Sequence, residues 1–137
     1  MKIKIVLCGF VWFCATAAAQ TVPIACEQHF QALEACSQNE ITALQKLGPD
    51  RIRSMTGHYD PNGISDLKTE IASIKTARAT IHKVMVEEGE EAANNKFCAN
   101  QFYIGRIHMR VYGVKSNLEF LGLLDANCSS KIQAISN

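Results

Sequence analysis

Apolar residues recur at steps of three and four along the middle of the chain, which is the spacing of one face of an α-helix. The stripe begins at Ile64, ends at Met85 and is interrupted only by Arg78. Such a stripe is buried against other elements while the opposite face of the helix meets solvent. The pattern therefore predicts an amphipathic helix over about 64–88.

A seven-residue repeat in the last third of the chain is the strongest pattern in the sequence. Its two rows of apolar residues lie at 97, 104, 111, 118 and at 107, 114, 121. A repeat of this kind is typical of a long helix packed against neighbours in a bundle. It continues through Gly105 and Gly113, although each glycine costs a helix about 1 kcal/mol relative to alanine. We predict a long helix over about 91–124.

The first helix is predicted over about 25–47. Its inner side carries five apolar residues: Phe30, Leu33, Ile41, Leu44 and Leu47. Gly48 supplies a C-terminal cap and Pro49 blocks continuation of the helix. The predicted fold is therefore an all-α bundle of three main helices.

The connection from Gly48 to Gly63 is unusually long for a segment without structure of its own. Such loops are uncommon, and they tend to be functional or mobile. The alternative is a strap that crosses the end of the bundle, with one helical turn at "DRIRSM", residues 50–55.

The first 19 residues have the layout of a cleaved secretory signal peptide. Two lysines are followed by about ten apolar residues and then by three alanines that end at Ala19. Spanning a bilayer takes about 20 apolar residues, so this run of about ten is too short for a membrane anchor. We therefore expect a cleaved leader and no membrane span after its removal. The sequence thus predicts a signal peptide over 1–19 and a single exported helical domain over 20–137.

Loss of the leader changes the charge of the chain. Removing Lys2 and Lys4 lowers the number of Lys and Arg from 14 to 12 against 13 Asp and Glu, so the formal net charge changes from +1 to −1. Proteins that grip nucleic acid through phosphates carry a clear positive excess. The charge balance therefore disfavours nucleic-acid binding.

Four cysteines remain after the leader: Cys26, Cys36, Cys98 and Cys128. No two of them have the close Cys-x-x-Cys spacing that zinc sites and redox motifs show. In an exported chain of this size, four cysteines predict two disulfides.

Helix geometry restricts how these cysteines can pair. Cys26 and Cys36 lie roughly 15 Å apart on one helix, whereas bridged Cα atoms lie within about 7 Å. A bond between Cys36 and Cys98 would leave Cys26 and Cys128 at opposite ends of the bundle. Cys26–Cys98 and Cys36–Cys128 are therefore favoured, and the second bond requires the tail after about Leu124 to fold back towards the first helix.

Three segments resemble a group of small periplasmic helical proteins of unknown function in Gram-negative bacteria. They are "VPIACEQHFQALEAC", "LKTEIASIKTARATIHKV" and "NNKFCANQF", which lie between Val22 and Phe102. The resemblance implies a periplasmic location and a bond between Cys26 and Cys98. It implies no activity.

Metal or haem binding is the alternative function that the residue types allow, because bundles can hold such groups between facing helices. The possible ligands are His29, His58, His82, His108, Met55, Met85 and Met109. If the last two helices form a hairpin, His82 and His108 are staggered by roughly 7 to 8 Å along its axis. They would not share one ion without distortion, so we predict no cofactor.

An enzymatic function is also disfavoured. His58 and Asp60 occur together in "GHYDPNG", but this composition is typical of a turn. The sequence has no nucleophile elbow, phosphate-binding glycine loop or His-Glu-x-x-His pattern. We therefore predict a non-catalytic protein.

Arginine and tyrosine residues are the candidates for binding a partner, because these side chains are favoured at protein interfaces. The candidates are Arg51, Arg53, His58, Tyr59, Tyr103, Arg106 and Arg110. The alternative is that they form an ordinary solvated surface. The sequence predicts an exported protein that binds another envelope or secreted protein as an inhibitor, an immunity protein or a stress-related protein.

Overall fold

The computed structural model describes residues 21–136, and the predicted signal peptide, 1–19, lies outside the described residues. The described chain is all-α, as predicted. Its elements are α1 (Ile24–Thr56), α2 (Gly63–Glu88), α3 (Glu90–Ala93), a π-helical turn (Asn94–Cys98), α4 (Gln101–Leu121) and α5 (Ala126–Ile135).

Helix α1 is longer than the predicted 25–47. Gly48 breaks the helical geometry, with φ 75° and ψ 165°, but a second helical segment follows and ends at Thr56. Pro49 starts this segment rather than preventing it, because a proline suits the first turn of a helix, where its N–H would have no partner. Ile52 anchors the segment in the protein interior. The predicted connection over 48–63 is thereby reduced to residues 57–62.

Helix α2 follows the predicted stripe closely. Leu67, Ile74 and Ile81 are buried on its inner face. Arg78, which interrupts the stripe, reaches Glu27 and Glu34 of α1 through charge-assisted hydrogen bonds. At Arg78, the inner face of α2 therefore contacts α1 through polar groups instead of apolar ones.

The predicted helix over 91–124 is divided into three pieces: α3, the π-helical turn and α4. The π-helical turn ends at Cys98, and a separate helix, α4, begins after its N-terminal cap, Asn100. The Asn100 side chain accepts hydrogen bonds from the backbone N–H groups of Phe102 and Tyr103 at 3.0 and 3.3 Å. Within α4 the seven-residue repeat is correct, since four of its positions are buried: Ile104, Val111, Val114 and Leu118.

Helix α5 is absent from the sequence prediction. Asp125 caps it by accepting a hydrogen bond from the Cys128 N–H at 2.7 Å. The turn before it is held by Asn39 of α1, which donates to the Leu123 carbonyl and accepts from the Asp125 N–H. Cys128 and Ile132 bury the inner face of α5. The tail thus folds back on α1, as the second disulfide requires.

Both predicted disulfides are present. The Cα atoms of Cys26 and Cys98 lie 5.0 Å apart, and those of Cys36 and Cys128 lie 4.6 Å apart. The bonds connect residues 72 and 92 positions apart in the sequence. They link α1 to the π-helical turn and to α5, and all four cysteines are buried in the core.

The core is formed by α1, α2, α4 and α5. Its largest fully buried side chains include Phe30, Ile81, Val111 and Leu118. In residues 21–136 we find no helical stretch with the length and apolarity needed to cross a bilayer.

Candidate partner-binding site

The outward side of α4 exposes large apolar side chains. Phe102 is 89% exposed, and Met109 and Phe120 are each 68% exposed. Steps of seven and eleven residues bring these side chains to the same side of a helix that turns about every 3.6 residues. We call Phe102, Arg106, Met109, Gly113 and Phe120 the outer α4 face.

The outer α4 face points outward because Val111 and Leu118, on the opposite side of α4, are buried in the core. Gly113 leaves the face flat near its middle. No atom of residues 21–136 lies within 4 Å of a Cβ placed at Gly113, apart from the helix's own backbone and immediate neighbours. The internal packing of the described chain therefore gives no reason for a glycine here.

Tyr103 and Arg106, two of the predicted partner-binding residues, border a cavity of about 220 Å³ beside the outer α4 face. Phe30, Leu33 and Ile74 supply apolar walls of this cavity. Burial raises the pKa of the Tyr103 phenol. The arrangement is an apolar depression with a cationic side chain at its border.

Arg110 lies away from this depression, although it is only four residues after Arg106. Its Nε donates to Glu70 Oε2 at 2.7 Å, and Glu70 Oε1 accepts from Ser37 Oγ at 2.8 Å. Arg110 and Tyr59 both border a second cavity, of about 290 Å³, which we call the Glu40 cavity. The structure therefore divides the predicted residues between two places.

The other predicted residues, Arg51, Arg53 and His58, are exposed and border neither cavity. Arg53 makes a long ion pair with Asp50, at 3.4 Å on the surface. These three residues are not assembled into a common site with Tyr103 and Arg106.

The structure places His108 beside His29 of α1 and His82 near the start of the described chain. The ring centroids of His29 and His108 lie 5.7 Å apart, a pair that helical spacing alone did not suggest. His82 Nδ1 instead lies 3.0 Å from the Thr21 carbonyl oxygen. In the part of the chain that the structure describes, no three His, Cys, Asp or Glu residues are grouped so that they could hold a metal.

Sequence reasoning overlooked two features of these sites. Phe102, Met109 and Phe120 lie outside the seven-residue repeat, and their own spacing of seven and eleven residues is a signal that could have been found. Glu40 lies on the inner side of α1, in the helical series 33, 37, 40, 44. That series predicts an inward-facing carboxylate.

Residues 21–136 form a disulfide-linked all-α domain in which one side of α4 exposes three large apolar side chains. No protein-family model, curated protein or solved structure matches the chain.

Proposed function

We propose that this is an exported, non-catalytic protein that binds another envelope or secreted protein through the outer α4 face. The exposure of Phe102 carries the proposal, together with Met109 and Phe120 on the same side of α4. The three side chains lie about 10 and 16 Å apart along one side of the helix. Exposed apolar side chains that share one surface are typical of protein interaction sites.

The disulfides support both parts of the proposal. Disulfide bonds form and persist in oxidising compartments such as the periplasm or the extracellular space, which agrees with the predicted signal peptide. They also fix α1 to the chain around α4 through Cys26–Cys98. A rigid binding surface loses less conformational entropy when the partner binds, which favours affinity.

The partner that fits this surface is a helix with its own apolar face and an acidic side chain. An apolar helix can lie along Phe102, Met109 and Phe120, and Gly113 allows its backbone to come close. Arg106 is exposed one turn from Phe102, where it can pair with a carboxylate of the partner. An inhibitor, immunity or envelope-stress protein would use a surface of this kind.

Site-specific photo-crosslinking tests the proposal. A photo-reactive amino acid replaces Met109 in one sample and Val86 in another, and both proteins are produced in cells and irradiated. Val86 is the matched control because it is 73% exposed but lies on α2. We expect one protein to be captured from position 109 and not from 86, and to be lost when Phe102 and Phe120 are replaced by serine. Equal capture from both positions would contradict the proposal, as would capture that survives the two serines.

A further inference from the structure

The Glu40 cavity lies at the end of the molecule where α1 bends at Gly48. Its walls come from α1 on both sides of the bend, from the loop at 57–62, from the beginning of α2 and from α4. It encloses about 290 Å³, close to the lower size of cavities that bind small molecules. It is distinct from the outer α4 face.

Glu40 is the unusual residue of this cavity. Glu40 is one of the residues that line the cavity, and it is 8% exposed. Oε1 accepts a long hydrogen bond from Asn117 Nδ2 at 3.3 Å, whereas Oε2 has no partner. Within residues 21–136, Oε2 is the one buried side-chain oxygen or nitrogen left without a hydrogen bond. Buried polar atoms are almost always paired, so this oxygen is a position at which a bound donor would complete the pairing.

The charges around the cavity favour a cationic donor. Asp60 and Asp66 are exposed and border the cavity together with buried Glu40. Arg110 is the positively charged lining residue, and its Nε is already bonded to Glu70. A second cation would therefore enter a site in which carboxylates outnumber the guanidinium. Its attraction to Glu40 would be strengthened by the buried surroundings of that residue, whereas water screens its attraction to exposed Asp60 and Asp66.

The other residues that line the cavity indicate which chemical group is attached to the cation. Leu44, Ile52 and Leu67 line the cavity with aliphatic carbon, and Tyr59 is half-buried at its side. A bare metal ion would leave this apolar surface without contacts, whereas a short hydrocarbon chain would cover it. An ammonium group on such a chain matches both the charge and the walls.

We infer that the Glu40 cavity binds the ammonium group of a short aliphatic amine, with the ammonium donating to Glu40 Oε2 and the chain lying against Leu44, Ile52 and Leu67. The ammonium can come from a free amine or from a lysine side chain of a bound protein.

Calorimetric titration of the intact, disulfide-bonded protein with 1,4-diaminobutane tests this inference. Replacement of Glu40 by glutamine keeps the shape of the side chain and removes its charge, so we expect binding to weaken by at least about tenfold. Glu90→Gln makes the same change at an exposed position on α3 and is expected to leave binding unchanged. The neutral 1,4-butanediol, which has the same chain length, is expected not to bind.

A second measurement does not depend on the variant folding correctly. Backbone amide NMR signals of the unmodified protein are followed as 1,4-diaminobutane is added, and we expect the largest shifts at Ile52, Tyr59 and Leu67. Shifts spread over the whole acidic surface would overturn the inference. The same conclusion would follow if the diamine bound Glu40→Gln as tightly as the unmodified protein, if butanediol bound equally well, or if no binding occurred up to about 10 mM.

The source of the ammonium is distinguished by a third titration, with the tripeptide N-acetyl-Gly-Lys-Gly-amide, in which the lysine side chain carries the only ammonium group. Tight binding of the diamine alone would assign the cavity to a free amine. Equal binding of the tripeptide would assign it to a lysine side chain. Both results support an ammonium site at Glu40, and failure of both probes would overturn it.

Discussion

Arg78 of α2 and Glu27 of α1 form a paired contact in which the guanidinium Nε and Nη2 each donate to a different carboxylate oxygen at 3.0 Å. The same guanidinium donates to both oxygens of Glu34. Its carbon also lies 5.5 Å from the centre of the Phe30 ring. A single cation therefore holds two carboxylates of α1, spaced seven residues apart, against α2.

We expect Arg78→Ala to lower the free energy of unfolding by about 2 to 3 kcal/mol, because it leaves two partly buried carboxylates near each other without a cation. Arg78 is 19% exposed, so water screens the interaction only in part. Urea denaturation measures the loss. Lys83→Ala is the matched control, since Lys83 forms an exposed pair with Glu87 at 3.8 Å, and its effect should stay below about 0.5 kcal/mol. Equal effects of the two changes would show that Arg78 acts only as a surface residue.

Much of the fold follows from patterns that are local in sequence. The burial of Val111 and Leu118 follows from a seven-residue spacing, and the disulfide pairing follows from distances along helices. Helix α5 depends instead on a contact between Asn39 and the turn at Leu123, which lie 84 residues apart in the sequence. The helical periodicity of the sequence contains no information about a contact between residues this far apart.

The candidate sites were predictable to a different extent. Tyr103 and Arg106 were selected from residue type and position, and the structure places them at one depression. Arg110 is a candidate by the same reasoning, but its guanidinium is bonded to Glu70 of α2 and does not border that depression. The unpaired oxygen of Glu40 could not be predicted, because hydrogen-bond pairing in a core depends on how all the surrounding helices pack.

Replacement of both Cys36 and Cys128 by alanine should destabilise the protein by up to about 4 to 5 kcal/mol, since this bond closes a loop of 92 residues. We expect α5 to lose its helical structure first, because a helix of 10 residues is not stable in water without packing. Hydrogen exchange followed by mass spectrometry should show fast exchange over 126–135 while α2 stays protected. Protection of α5 equal to that in the unmodified protein would show that Ile132 and the Asp125 cap are sufficient to hold it.

The stability of the protein should depend on pH through Glu40. Burial, more than any other cause, raises the pKa of its carboxyl above the ordinary value of 4.5, while Asn117 and Arg110 lower it and Glu70 raises it further. The folded state therefore binds this proton more tightly than the unfolded state does. The stability that the proton contributes is complete below about pH 4.5 and is lost as the pH rises through the raised pKa.

Glutamine at position 40 cannot ionise, so Glu40→Gln should gain stability relative to the unmodified protein as the pH rises from 4 to neutral. Thermal unfolding of both proteins at several pH values, without added amine, measures the difference. Glu90→Gln is the control, because Glu90 is exposed and should show no comparable trend. A difference that shrinks as the pH rises would mean that the Glu40 carboxylate is stabilised, not destabilised, by its surroundings.

The Gly113→Ala variant is expected to change stability and partner binding in opposite directions. Gly113 lies within the exposed side of α4 and has ordinary helical backbone angles, so alanine should stabilise the helix by about 1 kcal/mol. If a partner helix approaches closely at this position, the added methyl group should weaken its binding at the same time. Photo-crosslinking from position 109 and urea denaturation measure the two effects. Gly122→Ala is the contrasting control, because φ is 69° there and alanine should lower stability without touching the outer α4 face. Increased stability with unchanged crosslinking in Gly113→Ala would exclude a close helix contact at this glycine.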